Sequence, residues 1–275
     1  MNDQPPPWVR AEPGKPTLEG VNWGGLWTLY IKEVRRFFKV QTQTVWAPAI
    51  TTLLYLIIFT VALGRSSKTV MGVPFADFIA PGLIMMGMLQ NSFANASFSL
   101  MIGKIQGTIV DYLMPPLSVG ELIAALVGAA VTRAFLVGAA VWLVMTIWPG
   151  VHVGVAQPLW ALWFGLMGSL MLAFLGVITS VWADKFDQAA MVTNFVVTPL
   201  SLLSGTFYSV EQMAPAFRAV SHANPFFYII SGFRHGFLGT SDSPLLFGAI
   251  GLLALNTILF VACYALLRSG WRIKN

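Results

Sequence analysis

Six long apolar stretches, nearly free of charged side chains, constrain the fold of this chain more than any other feature. They lie at about residues 40–64, 78–102, 119–148, 158–182, 188–206 and 244–267. Each is close to the roughly 20 residues that an α-helix needs to cross a bilayer. Only 10% of the residues are charged, whereas soluble domains have about 25%. The pattern predicts an all-α integral membrane protein with six transmembrane helices.

The distribution of basic residues predicts the orientation, because Lys and Arg concentrate in cytoplasmic loops. With a cytoplasmic N-terminus, eleven fall inside: Arg10, Lys15, Lys32, Arg35, Arg36, Lys39, Lys104, Lys185, Arg268, Arg272 and Lys274. Four fall outside: Arg65, Lys68, Arg218 and Arg234. Both termini are therefore expected in the cytoplasm, with residues 1–22 as a disordered tail and 23–275 as the transmembrane domain. Basic residues at the edges of apolar stretches indicate topology and not nucleic-acid binding.

The segment before the first span predicts an amphipathic helix in the cytoplasmic membrane interface. Its apolar face holds Trp23, Leu26, Trp27, Tyr30, Ile31, Val34, Phe37 and Phe38. Its polar face holds Thr28, Lys32, Glu33, Arg35, Arg36 and Lys39. Such a helix can be an anchor held by anionic lipids or a lever that touches a partner.

The loop between spans two and three, GKIQGTIVDYLMPPLSVGEL, is the most polar internal stretch on the cytoplasmic side. Gly107 and the pair Pro115-Pro116 can bracket a short helix at about 108–114, with Asp111 near its middle. This helix is either a docking element or part of a plain connection.

The apolar stretch 219–233, between Arg218 and Arg234, has only 15 residues and is too short to span. Ser209 and Gln212 fit a capping box for a helix that ends near Ala223. Asn224 and Pro225 then supply the N-cap and first residue of a second helix. This second helix is expected to be re-entrant or interfacial on the outer side.

Motifs for catalysis and metal binding are absent from the sequence. No G-x-x-x-x-G-K-[ST] motif occurs, so the chain has no phosphate-binding loop of its own. His152, His222 and His235 are scattered, and Cys263 is the single cysteine. No catalytic, cofactor or metal site is therefore predicted in this chain.

The second span carries a polar stripe at helical spacing, formed by Asn91, Ser92, Asn95 and Ser99. These polar side chains are unfavourable in contact with lipid, so the stripe should face another helix or a translocation path.

Arg133 is the basic residue deep within a predicted span, where a charge is costly and faces a protein interior or a wet cavity. Its candidate partners are the amide oxygens of Asn91, Asn95 and Asn194. It can serve as a structural clamp or in a role linked to substrate or gating.

The order of these elements resembles the permease subunits of ABC-2 type exporters, including bacterial nodulation-factor and drug or polysaccharide export permeases. The resemblance covers about residues 23–272. The segments that carry it are FIAPGLIMMGMLQNSFANASFSL, GTIVDYLMPPLSVGEL and SGTFYSVEQMAPAFRAVSHANPFFYIISGFRHGFLG. The chain departs from many relatives at GKIQG, where those relatives have acidic or arginine-rich residues.

The resemblance implies an inner-membrane permease that dimerises and pairs with a separate ATPase subunit, which binds ATP and Mg²⁺. By the same resemblance, the cytoplasmic coupling helix of the family maps onto about Thr108 to Met114, and Gln106, Asp111, Pro115 and Ser118 would contact the ATPase. The outer segment containing Pro225, Phe226, Tyr228 and Arg234 would help seal the path. The substrate would be lipid-linked, glycan-like or amphiphilic.

Two alternatives remain open from the sequence. An ATP-independent channel or transporter would need carboxylates within its spans, whereas Asp77, Glu121 and Asp184 lie at the edges of spans. A structural scaffold would use the polar stripe and Arg133 for packing alone.

Overall fold

Most of the described residues lie in α-helices. A computed structural model describes residues 20–62 and 69–271. Most of the expected N-terminal tail and the basic residues Arg10, Lys15, Arg65, Lys68, Arg272 and Lys274 lie outside the described residues.

The helices follow the expected order. The amphipathic helix α1 spans Trp23–Phe38 and is followed by the first membrane helix, which consists of a π-helical turn at Thr42–Trp46, α2 at Ala47–Ile57 and a second π-helical turn at Ile58–Ala62. The remaining helices are α3 (Phe75–Ile105), α4 (Val110–Leu113), α5 (Val119–Ile147), α6 (Pro158–Trp182), α7 (Phe186–Val192), α8 (Thr198–Leu202), α9 (Pro215–Ala223), α10 (Pro225–Leu238) and α11 (Leu245–Ser269). The two-residue strands β1 (Thr69–Val70) and β2 (Val73–Pro74) form an antiparallel hairpin that the sequence analysis did not predict.

Within the described residues, four helices are long and apolar enough to cross a membrane: Thr42–Val61, α5, α6 and α11. Helix α3 has 31 residues, but its polar stripe lowers its mean hydropathy. The fifth predicted span is shorter than expected, because helical structure runs from Phe186 to Leu202 and the chain then turns at Gly205, where φ is +75°. The structure therefore supports an all-α membrane protein, and the count of six spans remains a prediction.

Two of these helices are interrupted by π-helical turns that precede a proline. Thr42–Trp46 is followed by Pro48, and Thr193–Val197 joins α7 to α8 just before Pro199. Proline lacks a backbone N–H and clashes with the preceding turn, so the local widening accommodates it.

The hydrophobic core lies between α3, α5, α6 and α10. Phe78, Phe93, Phe164 and Phe227 are all fully buried there. Helices α3 and α6 approach so closely that a Cβ atom at Gly176 would lie 2.7 Å from the carbonyl oxygen of Phe93.

The expected capping box on the outer side is wrong. Val210–Gln212 form only a 3₁₀ turn without a side-chain cap, and α9 begins at Pro215. The hydroxyl of Ser209 instead donates to the carboxylate of Asp242 at 3.1 Å. The next junction follows the prediction, since Asn224 caps α10 by accepting from the backbone N–H of Phe226.

Candidate functional site

The loop between α3 and α5 presents an exposed surface on the end of the molecule that carries α1. Gln106, Asp111, Pro115 and Ser118 are exposed, as the predicted contact requires. Apolar side chains accompany them: Ile105, Val110, Leu113 and Met114 are 44%, 49%, 43% and 78% exposed. We call residues 105–118 the docking loop. An exposed apolar patch rimmed by polar groups is typical of a protein interaction surface.

Helix α4 of the docking loop is shorter than expected, with four residues at Val110–Leu113. Gly107, with φ of +73°, precedes it, and Pro115 and Pro116 follow it. Of its four residues only Tyr112 is buried. Tyr112 is therefore the side chain by which α4 enters the bundle.

The hydroxyl of Tyr112 donates a 2.9 Å hydrogen bond to Oε1 of Glu33. The ammonium of Lys32 lies 3.7 Å from the centre of the Tyr112 ring, in a cation–π contact. Burial and the nearby charge of Glu33 raise the pKa of Tyr112 above its ordinary value. The hydroxyl therefore stays protonated and serves as a donor.

The assignment of Glu33 to the polar face of α1, together with the basic residues, is wrong. Its side chain is fully buried, because Leu29 and Phe37, one turn away on each side, lie on the same buried face. Oε2 of Glu33 lies 2.8 Å from the hydroxyl of Ser99 and 2.9 Å from Nη2 of Arg36. Trp23 and Trp27 of the expected apolar face are exposed, at 71% and 61%.

The start of α1 is bonded to the start of α5. The backbone N–H of Asn22 donates to Oε1 of Glu121 at 2.7 Å, and the backbone N–H of Ser118 donates to Oε2 at the same distance. The side-chain amide of Asn22 also donates to the carbonyl of Pro116. Helix α1, the docking loop and the start of α5 are thus joined by several hydrogen bonds.

The polar stripe on α3 is buried and makes bonds to three different elements. Ser92 donates to the carbonyl of Ser169 on α6 at 2.6 Å. Nη2 of Arg36 on α1 donates to the backbone and side-chain oxygens of Asn95, at 2.9 Å and 3.2 Å. Ser99 meets Glu33, as described above.

Asn91 accepts a 2.8 Å hydrogen bond from Nη2 of Arg133 on α5. Of the three expected partners of Arg133, Asn91 is the one that the structure places against it. Nε of Arg133 is buried and has no hydrogen-bond partner among the described residues. Asn95 is bonded to Arg36 instead.

An open groove of about 570 Å³ runs between the first membrane helix, α3 and α8. Its polar lining includes Gln43, Thr51, Thr52, Tyr55, Gln90, Asn91 and Thr198. Phe59 and Phe207 add a stacked aromatic pair with ring centres 4.2 Å apart. Both helices with a π-helical turn before a proline border this groove, and such turns are frequent at functional sites.

The buried Arg234 joins α10 to the start of α3 and to the turn at Gly205. Its guanidinium donates to the carbonyl of Gly205 at 2.6 Å and to that of Phe78 at 3.3 Å. Nη1 lies 3.4 Å from the carboxylate of Asp242, and both side chains are 1% exposed. Burial raises the pKa of Asp242, and Arg234 opposes that rise. The sequence analysis missed Asp242 because it lies in a turn outside every motif.

Of the other residues predicted in the outer segment, Phe226 is buried, whereas Pro225 and Tyr228 are partly exposed. Pro225 occupies the first turn of α10, and Phe226 is 3% exposed. The hydroxyl of Tyr228 donates to the carbonyl of His222 at 3.0 Å and so ties α10 back to α9.

These features define a helical membrane protein with a polar groove and an exposed, partly apolar loop at the end that carries α1. The profile of the family described as ABC-2 type transporter matches residues 25–238. The chain is 34% identical to the inner membrane transport permease YadH of Escherichia coli K12 over 256 residues, which cover 92% of this chain and 98% of that protein. It is 25% identical to nodulation protein J of Rhizobium leguminosarum bv. viciae over 252 residues, covering 90% and 95% of the two chains. The chain therefore belongs to the ABC-2 type transporter family.

Proposed function

We propose that this chain is the permease subunit of an ABC exporter. It moves a lipid-linked, glycan-like or otherwise amphiphilic substrate outward across the bacterial inner membrane. A separate ATPase subunit binds ATP and Mg²⁺ and supplies the energy, and the two termini of the permease lie in the cytoplasm.

The exposed docking loop is the observation that carries this proposal. Four apolar side chains between Ile105 and Met114 are exposed around the acidic Asp111. Placed in water without a partner, this apolar surface would be unfavourable. An ATPase subunit that covers the loop would bury it and contact Gln106, Asp111, Pro115 and Ser118.

The groove between the first membrane helix, α3 and α8 supports a translocation path completed by a second copy of the chain. Polar groups such as Gln43 and Gln90 are costly to expose to lipid. Aromatic rings such as Tyr55 and Phe59 suit an amphiphile, because they contact both acyl chains and sugar faces. In contrast, the exposed face of α11 carries large apolar side chains, with Leu246, Phe247 and Ile250 at 69%, 65% and 67% exposure, as expected of a lipid-facing helix.

The family membership and the relative named as an inner membrane transport permease support the same location for this chain. The arrangement of the helix ends supports the proposed topology. Lys104 at the end of α3 donates to the carbonyls of Val181 and Ala183 at the end of α6, both at 2.9 Å. These ends and α1 lie on one side, where the basic residues predict the cytoplasm.

An ATP-independent transporter is less well supported, because the carboxylates at the ends of the spans, Asp77 and Glu121, have local structural roles. Asp77 at the start of α3 accepts from the backbone N–H of His152 at 2.7 Å. Glu121 caps the start of α5. Neither is placed for ion relay in the middle of a span.

Copurification from the native membrane tests the proposal. A stoichiometric subunit with a Walker motif and ATP hydrolysis should accompany the wild-type chain. Asp111→Arg should reduce its recovery, since the reversed charge lies in the contact. Glu211→Arg, which reverses an exposed carboxylate near the outer helices, should not. A chain that emerges alone under conditions that preserve a known ATPase–permease complex would contradict the proposal.

A further inference from the structure

We infer that Glu33 is the positioning residue that couples the docking loop to the translocation groove. This inference rests on the proposed function, because it requires an ATPase at the docking loop. In this inference, the buried carboxylate of Glu33 transmits movement from the ATPase contact at the docking loop to α3.

The two carboxylate oxygens of Glu33 hold two different elements. Oε1 accepts from Tyr112 of α4 at 2.9 Å, and Oε2 accepts from Ser99 of α3 at 2.8 Å. Since Tyr112 is the buried residue of α4, a displacement of the docking loop reaches the bundle through this bond. The side chain of Glu33 is fully buried, so water does not screen the charge.

Arg36 extends the contact along α3. Its Nη2 atom is ion-paired with Glu33 at 2.9 Å and is within hydrogen-bond distance of Asn95 and Ser99. Ser99, Asn95 and Asn91 follow one another at four-residue spacing, so they lie on one face of α3. Asn91 is about 12 Å from Ser99 at 1.5 Å per residue.

The line of polar side chains ends at the groove. Asn91 lines the groove and holds Arg133 of α5. A rigid helix that carries both Ser99 and Asn91 can therefore transfer a shift at its cytoplasmic end to the groove wall. Nδ2 of Asn95 is buried without a partner among the described residues, which leaves a donor free for a second arrangement of the network.

Accessibility of a cysteine in the groove provides a test that needs no knowledge of the substrate. Cys263→Ala removes the native thiol, and Gln90→Cys in this background places a single thiol in the groove lining. The rate of labelling by a maleimide is measured on the intact complex with its ATPase, with and without ATP and vanadate. With an intact network, we expect ATP to change the labelling rate by about fivefold or more, the scale of coupling between distant sites.

Glu33→Gln and Tyr112→Phe should keep the ATPase bound and hydrolysing ATP, and should abolish the effect of ATP on labelling. Tyr112→Phe removes only the hydroxyl and keeps the packing, so it tests the inference even where Glu33→Gln fails to accumulate. Tyr30→Phe is the matched control: it removes another α1 bond, the 2.8 Å contact with Thr132 of α5, and should retain the response.

The outcomes separate the two proposals. The role of Glu33 is supported if the ATPase copurifies and the effect of ATP on labelling is lost in Tyr112→Phe but kept in Tyr30→Phe. If the ATPase copurifies and ATP still changes the labelling rate fully in Glu33→Gln and Tyr112→Phe, the role of Glu33 is overturned and the proposed function stands. A wild-type chain without an ATPase overturns both.

Discussion

The guanidinium of Arg133 donates a 2.8 Å hydrogen bond to the side-chain oxygen of Asn91, and this bond joins α5 to α3 inside the helical bundle. A charged group at this depth is costly without a partner. The pair therefore satisfies a polar requirement within the bundle and, through Asn91, forms part of the groove wall.

Asn91→Leu, which keeps the volume and removes the acceptor, should lower the free energy of unfolding by about 1–3 kcal/mol. The double variant Asn91→Leu/Arg133→Met should lose less than the sum of the two single changes, because no charge is then left unpaired. Thermal unfolding in detergent measures all three variants. Strict additivity of the single changes would contradict the pairing, and Thr257→Val on the exposed side of α11 serves as a near-neutral control.

The buried pair of Arg234 and Asp242 holds α10 against the start of α3 and the turn at Gly205. Arg234→Leu should lower the free energy of unfolding by about 3–5 kcal/mol, because it leaves Asp242 buried without its cation. Arg234→Lys should also destabilise, since an ammonium cannot reproduce the planar fork that reaches Gly205 and Phe78. Thermal unfolding of the purified chain is the measurement.

The control for this prediction is Arg218→Leu, which removes an exposed arginine of the neighbouring helix α9. We expect a change within about 0.5 kcal/mol for this surface position. Equal effects of the substitutions at Arg218 and Arg234 would show that the buried pair has no special role.

The groove predicts where two copies of the chain meet. In a Cys263→Ser background, Phe195→Cys places a thiol on a 77% exposed position of the same helical face as Thr198 and Leu202, which line the groove. A short bis-maleimide should link two copies at this position. Ile250→Cys, at 67% exposure on α11, should give no such product. Efficient linkage at Ile250 and none at Phe195 would place the interface at α11, and would contradict an interface at the groove.

Several elements of this fold could be predicted from the sequence because local rules determine them. The bounds of α6, Pro158–Trp182, agree with the prediction of 158–182, since a proline marks the start and the charged Asp184 and Lys185 follow the end. The Asn224-Pro225 start of α10 is confirmed for a similar reason. The bond from Arg133 to Asn91 was among the expected pairings, because a buried guanidinium needs an acceptor on a neighbouring span.

Long-range polar contacts were missed because no local rule specifies them. Glu33 was placed with the basic residues of α1, although its spacing of four residues from Leu29 and Phe37 was an available signal of burial. The bond between Asn22 and Glu121 joins residues 99 positions apart and had no such signal. The capping box at Ser209 failed because the hydroxyl bonds Asp242 instead.

The docking of an ATPase subunit on the docking loop is tested most directly by photo-crosslinking from Met114 in native membranes. This residue is 78% exposed and accepts a photoreactive amino acid without loss of a buried contact. We predict a crosslink to a subunit that carries a Walker motif, and no such product from Phe217, an exposed position on α9. Crosslinks from Met114 that never contain an ATPase, in membranes where a known ATPase–permease pair is captured, would contradict the account.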